Sequence, residues 1–270
     1  MIEDRDALMK GLVEAAADAA GVIMHHYEND IEVMQKGDRS PVTKADQEAE
    51  VIILEHLRRI APGIPVVAEE EVAAGRIPDD LGRQYFLVDP LDGTKEFLKQ
   101  NGQFTVNIGL IEDGVPTMGV VYAPAMETLY YGIEPGKAFT QKLDPEKGIE
   151  GASANAPEPI TVRTVPDTGL IAVSSSSHRH EAVEAFLSQF SVVENKEMGS
   201  SLKFCLVATG EADVYPRQPQ SSCEWDVAAA HAVLRAAGGE LTQLDGTVFD
   251  YGHVERKFLN PGFVAWGKRG

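Results

Sequence analysis

Four apolar residues, Tyr85-Phe86-Leu87-Val88, run straight into Asp89-Pro90-Leu91-Asp92-Gly93-Thr94, and a helix-forming stretch, Lys95-Glu96-Phe97-Leu98, follows at once. A short apolar run of this kind reads as a buried strand. Any fold must therefore end that strand in two carboxylates on one tight turn, with Pro90 fixing the backbone between them. Two hard anionic oxygen donors so close together suit Mg²⁺ better than softer metals. Gly93 lets a ligand approach the backbone without meeting a Cβ, and the N–H groups of Gly93 and Thr94 at a helix start can hold a phosphate oxygen. An isolated Asp-Gly pair is also an ordinary turn in which Thr94 caps the next helix, so its surroundings decide.

Upstream, Leu8, Leu12, Val13, Ala16, Ala20, Ile23, Met24 and Tyr27 recur at three- and four-residue spacing, which predicts a long amphipathic helix over 6–27. A polar loop holding Lys36, Gly37, Asp38, Ser40 and Pro41 comes next. Thr43 then caps a second helix whose apolar face is Ala49, Ile52, Ile53, Leu57 and Ile60, and Pro62-Gly63 ends it. Pro65 to Ala68 reads as another buried strand, running into Glu69-Glu70-Glu71, so two strand ends deliver acids to one place. Phe104 to Ile111, Pro116 to Tyr122 and Glu127 to Ile133 predict an antiparallel meander of three strands. From Leu143 to Pro159 periodicity fades, which marks a surface connection and a lobe boundary, with an N-terminal α+β lobe over 1–150 and a C-terminal α/β lobe over 151–270. The second lobe alternates: strands at 170–173, 192–193 and 213–215, and helices at 180–190, 202–209 and 225–237.

Composition narrows the function classes. The 42 acidic against 24 basic side chains leave a net charge of −18, and no Lys/Arg run forms a basic patch, so a nucleic-acid polymer is not an expected partner. The longest apolar stretches, such as Val51 to Leu54, fall far short of the roughly 18 residues of a membrane span, and the acidic start Met1 to Asp6 does not resemble a secretory signal. Only Cys205 and Cys223 occur, which excludes a disulfide framework, a CxxC pair and a structural zinc site, and fits a cytoplasmic protein. No GxSxG elbow accompanies Ser174-Ser175-Ser176-Ser177-His178, which reads as nucleoside-pocket lining or as a helix N-cap rather than part of a hydrolase triad. His25, His26, His180 and His231 read as helix-surface or core residues rather than metal ligands.

Acids in both halves give the Asp89 segment its meaning. Glu69 precedes Asp89 by 20 residues, and Trp225-Asp226 opens an Ala-rich helix in the second half. Glu69-Glu70, Asp89 to Thr94 and Trp225-Asp226-x-Ala-Ala-Ala together resemble the signatures of the inositol monophosphatase superfamily of Mg²⁺-dependent, lithium-sensitive phosphatases, over nearly the whole chain. Gly102-x-Phe104-Thr105-Val106-Asn107-Ile108, Gly119 to Pro124, Gly199 to Ala208, Tyr215-Pro216-Arg217 and Phe258 to Phe263 make it most similar to the 3′(2′),5′-bisphosphate nucleotidase branch of the CysQ type. The match is weakest at 71–83, 142–159 and 218–223.

The resemblance implies a layered αβαβα sandwich and a site holding two or three Mg²⁺ ions, bound by the side chains of Glu69, Asp89, Asp92 and Asp226 and the Leu91 carbonyl. It implies that Asp46 and Thr94 orient the attacking water, with Glu70 in the same catalytic set. Substrate would meet Glu69, Leu91, Asp92, Gly93, Thr94 and Asp226, while Ser200, Lys203 and Arg217 would serve nucleotide and distal-phosphate recognition. Each of the last groups has a plainer reading: Asp46 as capping-box partner of Thr43, Lys203 as an exposed helix residue, Arg217 as a cleft-rim ion pair. The implied reaction is hydrolysis of the 3′-phosphate of adenosine 3′,5′-bisphosphate, and of 3′-phosphoadenylyl sulfate, in sulfur assimilation. Inositol 1-phosphate or fructose 1,6-bisphosphate hydrolysis on the same scaffold, or a silent nucleotide or metal sensor, are the alternatives. Relatives also associate peripherally with the inner face of a membrane, which nothing in this sequence independently supports, and the sequence carries no signal of oligomeric state.

Overall fold

The computed structural model describes residues 2, 4–29, 33–35, 41–152, 156–175 and 181–268. Two long helices, α1 (Arg5–Glu28) and α2 (Lys44–Ile60), pack side by side, as the apolar spacing predicts. Asp4 caps α1 by accepting the Ala7 N–H at 2.8 Å, and Thr43 with Asp46 forms a capping box at the start of α2. A small antiparallel pair, β1 (Val33–Gln35) and β2 (Pro41–Thr43), leads into α2; the expected loop at 36–40 between them lies outside the described residues.

Under the two helices lies a seven-stranded sheet of β3 (Val66–Ala68), β4 (Gln84–Asp92), β5 (Thr105–Glu112), β6 (Val115–Ala123), β7 (Thr128–Ile133), β8 (Lys137–Lys142) and β9 (Glu158–Pro159), adjacent in chain order. Only the β3–β4 pair is parallel. The period-two alternation of strands gives the sheet two apolar faces. Phe86, Val88, Val106, Ile108, Val120 and Tyr122 pack toward α1 and α2, while Tyr85, Leu87 and Val121 face the other way, onto α7 (Leu202–Ala208) and α8 (Ala228–Ala236). Those helices rest in turn on a five-stranded sheet of β10 (Leu170–Ser174), β11 (Val192–Glu197), β12 (Val214–Arg217), β13 (Glu240–Gln243) and β14 (Phe263–Trp266), in the order β11-β10-β12-β14-β13. Its outer face, with Leu170, Val214 and Trp266, is covered by Phe186 and Leu187 of α6 (Glu181–Leu187). The result is the five-layer αβαβα sandwich expected from the sequence.

The middle layer is seated unusually deep. Gly109, Gly119 and Gly132 on β5, β6 and β7 stand directly opposite one another across the sheet, on the face that meets α8. A Cβ built on Gly119 would lie 2.1 Å from the Ala229 carbonyl oxygen, one on Gly109 2.8 Å from the Ala229 nitrogen, and one on Gly132 2.8 Å from the Val233 Cα. Three missing side chains thus form a trough into which the Ala-rich α8 drops, backbone against backbone.

Several local expectations are corrected. Asp89 to Asp92 is not a free-standing turn: β4 continues through it with a shift of register between Asp89 and Asp92, because β5 keeps pairing as far as Asp92–Thr105. The Glu69 to Glu71 run, for which no element was expected, opens a short helix, α3 (Glu69–Ala73). The meander runs beyond the three strands β5, β6 and β7: β4 joins it antiparallel on one side, and β8 and β9 extend it on the other. The stretch taken as irregular contains α5 (Gly148–Ala152), which spans the expected lobe boundary, and β9 beyond it still pairs with β8. The second sheet gains β13 and β14. Of the predicted helix over 180–190, His180 lies outside the described residues, as do Ser176, Ser177 and His178. No helix among the described residues is long and apolar enough to cross a membrane.

Candidate metal centre and active site

Three carboxylates from distant parts of the chain converge. Parallel pairing of Ala68 with Val88 brings the end of β3 level with β4, so Glu69 and Asp89 leave neighbouring strands side by side. Asp226 closes a 3₁₀ turn, Glu224–Asp226, immediately ahead of α8, so the depth of α8 in its glycine trough sets where Asp226 stands. Carboxylate oxygens of Glu69, Asp89 and Asp226 all lie within 4.8 Å of one another. Asp89 is buried, and burial, reinforced by the charges of Glu69, Asp92, Asp226 and Asp46, holds its carboxyl far above the usual carboxylate range. Burial, then Asp92 and Glu69, push Asp226 up to about 8. A buried group of like charges made only of oxygen donors fits a hard divalent cation, whose charge would favour the ionised carboxylates against both burial and their mutual repulsion.

Asp92 faces the second lobe. Its Oδ2 accepts hydrogen bonds from Ser200 Oγ at 2.6 Å and Ser201 Oγ at 3.0 Å, and Ser201 Oγ is also 2.7 Å from the Asp226 main-chain oxygen. Behind them, Thr105 shares a 2.5 Å hydrogen bond with Ser200, and Asn107 Nδ2 donates to Ser201 at 3.1 Å. The Leu91 N–H donates to Asp89 Oδ1 at 3.0 Å, which leaves the Leu91 carbonyl beside Thr94 Oγ1, 3.5 Å away. Gly93 takes φ +94°, a left-handed conformation in which a side chain would be strained, and caps α4 (Thr94–Leu98).

Asp92, Gly93, Ser200, Lys203, Arg217 and Asp226 line one cleft. Lys203 is not an exposed helix residue: it is buried, 2.5 Å from the Ser200 carbonyl oxygen and over the Tyr215 ring. Burial, opposed in part by the Asp92 charge, lowers its ammonium to about 8. Arg217 makes no rim ion pair among the described residues; its guanidinium binds Ser221 through Oγ at 2.9 Å and the carbonyl oxygen at 2.8 Å. Two cations therefore share a cleft with Asp92 and Asp226. Ser175 lines the same cleft, whereas Ser174 Oγ accepts Asn195 Nδ2 at 2.9 Å.

Asp46 and Glu70 stand at the edge of this group. Asp46 Oδ2 accepts the Thr43 N–H at 2.8 Å and Thr43 Oγ1 at 2.6 Å, so its capping-box contacts are made, and its charge also acts on Asp89. Glu70 does not share the three-carboxylate group. Its N–H donates at 2.8 Å to Glu50, a residue absent from the sequence-level site, whose other oxygen takes the Glu71 N–H at 2.9 Å. Glu50 is buried, and burial raises its carboxyl to about 7. Glu224 does the same in the second lobe, accepting the N–H groups of Gly252 at 2.7 Å and His253 at 3.0 Å. A charged residue on the core side of a helix otherwise apolar there was the available signal for Glu50. His231 is buried against Tyr251, and His26 pairs with Glu48.

The inositol monophosphatase family model matches residues 4–265. The 3′(2′),5′-bisphosphate nucleotidase CysQ of Salmonella typhimurium is 43% identical over 258 residues, 95% of this chain and 98% of that protein. The corresponding protein of Escherichia coli K12 is 41% identical, over 95% of this chain and 98% of its own. The crystal structure of CysQ from Bacteroides thetaiotaomicron, described as a bacterial member of the inositol monophosphatase family, superposes with a TM-score of 0.78 at 35% identity, covering 98% of this chain and 99% of the other. Shared sequence over nearly the full length and shared architecture agree: this chain belongs to the inositol monophosphatase family.

Proposed function

We propose that this protein is a Mg²⁺-dependent phosphomonoesterase that hydrolyses the 3′-phosphate of adenosine 3′,5′-bisphosphate to AMP and phosphate, with 3′-phosphoadenylyl sulfate as a second substrate, in sulfur assimilation. The observation that carries this reading is one cleft in which Asp92 and Asp226 meet the cations Lys203 and Arg217, Asp226 standing also in the carboxylate cluster with Glu69 and Asp89. A substrate with one phosphoryl group fills only the acidic end, whereas a nucleoside bisphosphate offers a second phosphoryl group to Lys203 and Arg217. The relatives named as 3′(2′),5′-bisphosphate nucleotidases support a substrate that carries two phosphoryl groups.

Glu69, Asp89, Asp92, Asp226 and the Leu91 carbonyl would hold the ions. Two such ions supply positive charge for the phosphoryl oxygens and the leaving oxygen, and a water acidified toward neutral pH. The chain's own groups do the rest. The N–H groups of Gly93 and Thr94 hold a phosphoryl oxygen, and Thr94 Oγ1 with Asp46 orients the incoming water and takes up its proton. Ser200 and Ser201 fix the Asp92 carboxylate.

Phosphate release from adenosine 3′,5′-bisphosphate, inositol 1-phosphate and fructose 1,6-bisphosphate, each with Mg²⁺ and with EDTA, tests the reading. The nucleotide should be cleaved fastest, and only with metal. Faster cleavage of either sugar phosphate would reassign the substrate, and no cleavage of any would leave a sensor.

A further inference from the structure

Most buried carboxylates in this molecule are satisfied by donors from the protein. Glu50 and Glu224 each capture two backbone N–H groups, Asp213 takes Arg163 in a bidentate pair, and Asp46 takes two groups of Thr43. Glu96 is the exception among the described residues: it is 9% exposed, lines the cleft, and accepts a hydrogen bond from no described residue. The Lys203 charge acts on it, but that ammonium is directed at the Ser200 carbonyl oxygen at 2.5 Å. The side chain is also held in place. A Cβ on Gly199 would come 2.8 Å from the Glu96 Cγ and 2.8 Å from the Gln103 carbonyl oxygen, so only a glycine lets Glu96 lie where it does.

Glu96 faces the cleft without a protein donor, so a ligand that displaces water from its carboxylate must bring a donor of its own or leave the charge unpaired. Phosphoryl oxygens are acceptors only and would be repelled, so the group opposite Glu96 belongs to a neutral part of the substrate. Glu96 sits in the first turn of α4, two residues from Thr94, next to the end of the cleft where the scissile phosphate belongs. The neutral donor nearest that phosphate in a nucleoside bisphosphate is the ribose hydroxyl on the neighbouring carbon, and one remains whether the phosphate is on O3′ or O2′. We propose that Glu96 is a specificity residue that accepts a hydrogen bond from the sugar hydroxyl adjacent to the scissile phosphate. This rests on the nucleotidase reading above.

The test compares kcat/KM for adenosine 3′,5′-bisphosphate and its 2′-deoxy analogue in the wild-type protein, Glu96→Gln and Glu96→Ala. Their ratio within one preparation does not depend on the fraction of folded enzyme. A hydrogen bond to a charged acceptor predicts a wild-type preference for the ribonucleotide of roughly 10- to 100-fold. Glu96→Gln should keep a few-fold preference, and Glu96→Ala should bring the ratio close to one. Equal use of both nucleotides by wild type, or an unchanged ratio in Glu96→Ala, overturns the proposal while leaving the nucleotidase reading intact. Inosine 3′,5′-bisphosphate forms the third arm: if Glu96→Ala instead erases a preference for adenine, the contact is to the base and the proposal is wrong. No hydrolysis of any of the three by wild type overturns the function and this proposal with it.

Discussion

Replacing Gly119 by alanine tests the link between packing and chemistry. The new Cβ would sit 2.1 Å from the Ala229 carbonyl oxygen and 2.9 Å from its Cα. Ordinary non-bonded separations are about 3.5 Å, so α8 must lift by about 1.4 Å. The obstacle is backbone and cannot rotate aside, which puts the cost at the upper end of overpacking penalties, about 3 kcal/mol. For a chain of this size that lowers Tm by roughly 6–12 °C. The same shift carries Asp226 away from Glu69 and Asp89, so half-saturation by Mg²⁺ should rise about tenfold or more, in line with the large penalties of misplaced site groups. Thermal melting and Mg²⁺ titration of phosphate release are the two assays. Gly21→Ala is the control, since its Cβ meets only the Pro145 carbonyl oxygen at 3.7 Å within α1, and alanine is the better helix former there. If Gly119→Ala melts and titrates like wild type, the trough does not position Asp226.

Other outcomes follow from the same geometry. Glu50→Ala removes the acceptor of the Glu70 and Glu71 N–H groups, so the first turn of α3 loosens and Mg²⁺ half-saturation should rise about 10-fold; a lower Tm with unchanged metal dependence would make Glu50 merely structural. Asp89→Asn should abolish hydrolysis and the Mg²⁺-induced rise in Tm while making the metal-free protein melt higher, because a repelled buried charge is gone; retained turnover would contradict the role of Asp89. His231 is held neutral by burial, with its pKa lowered to about 3. Its folded value lies below the unfolded value, so its contribution is full above about pH 6.5 and is lost as pH falls toward 3, by about 2 kcal/mol at pH 5. Urea unfolding of wild type and His231→Gln at pH 7.5 and pH 5 should show the gap between them narrowing in acid, and parallel curves would refute it. Asp89 and Asp226, raised rather than lowered, act in the opposite sense in both proteins and cancel in that comparison.

What could be read from the sequence was whatever depends on neighbours along the chain. The three-and-four spacing of α1 and α2 and the apolar runs of β4 and β5 state their own structure, and Asp89 to Thr94 carries its chemistry within six residues. What escaped depends on partners far away. Glu50 looks like one more helix acid until α3 offers it two N–H groups, 20 and 21 residues on. Ser201 and Asn107 meet across 94 residues to brace Asp92. Gly109, Gly119 and Gly132 singly read as weak points in strands, and only the register of the sheet lines them up under α8. Lys203 has the sequence context of a surface lysine, and it is the packing of Tyr215 and Phe204 around it that buries it.

The most direct measurement is anomalous diffraction from crystals grown with Mn²⁺ as a Mg²⁺ substitute. Peaks should stand about 2.0–2.3 Å from carboxylate oxygens of Glu69, Asp89 and Asp226, with Asp92 bordering the same ions. An empty map there at saturating Mn²⁺, or ions bound elsewhere with these three carboxylates left bare, would contradict the account.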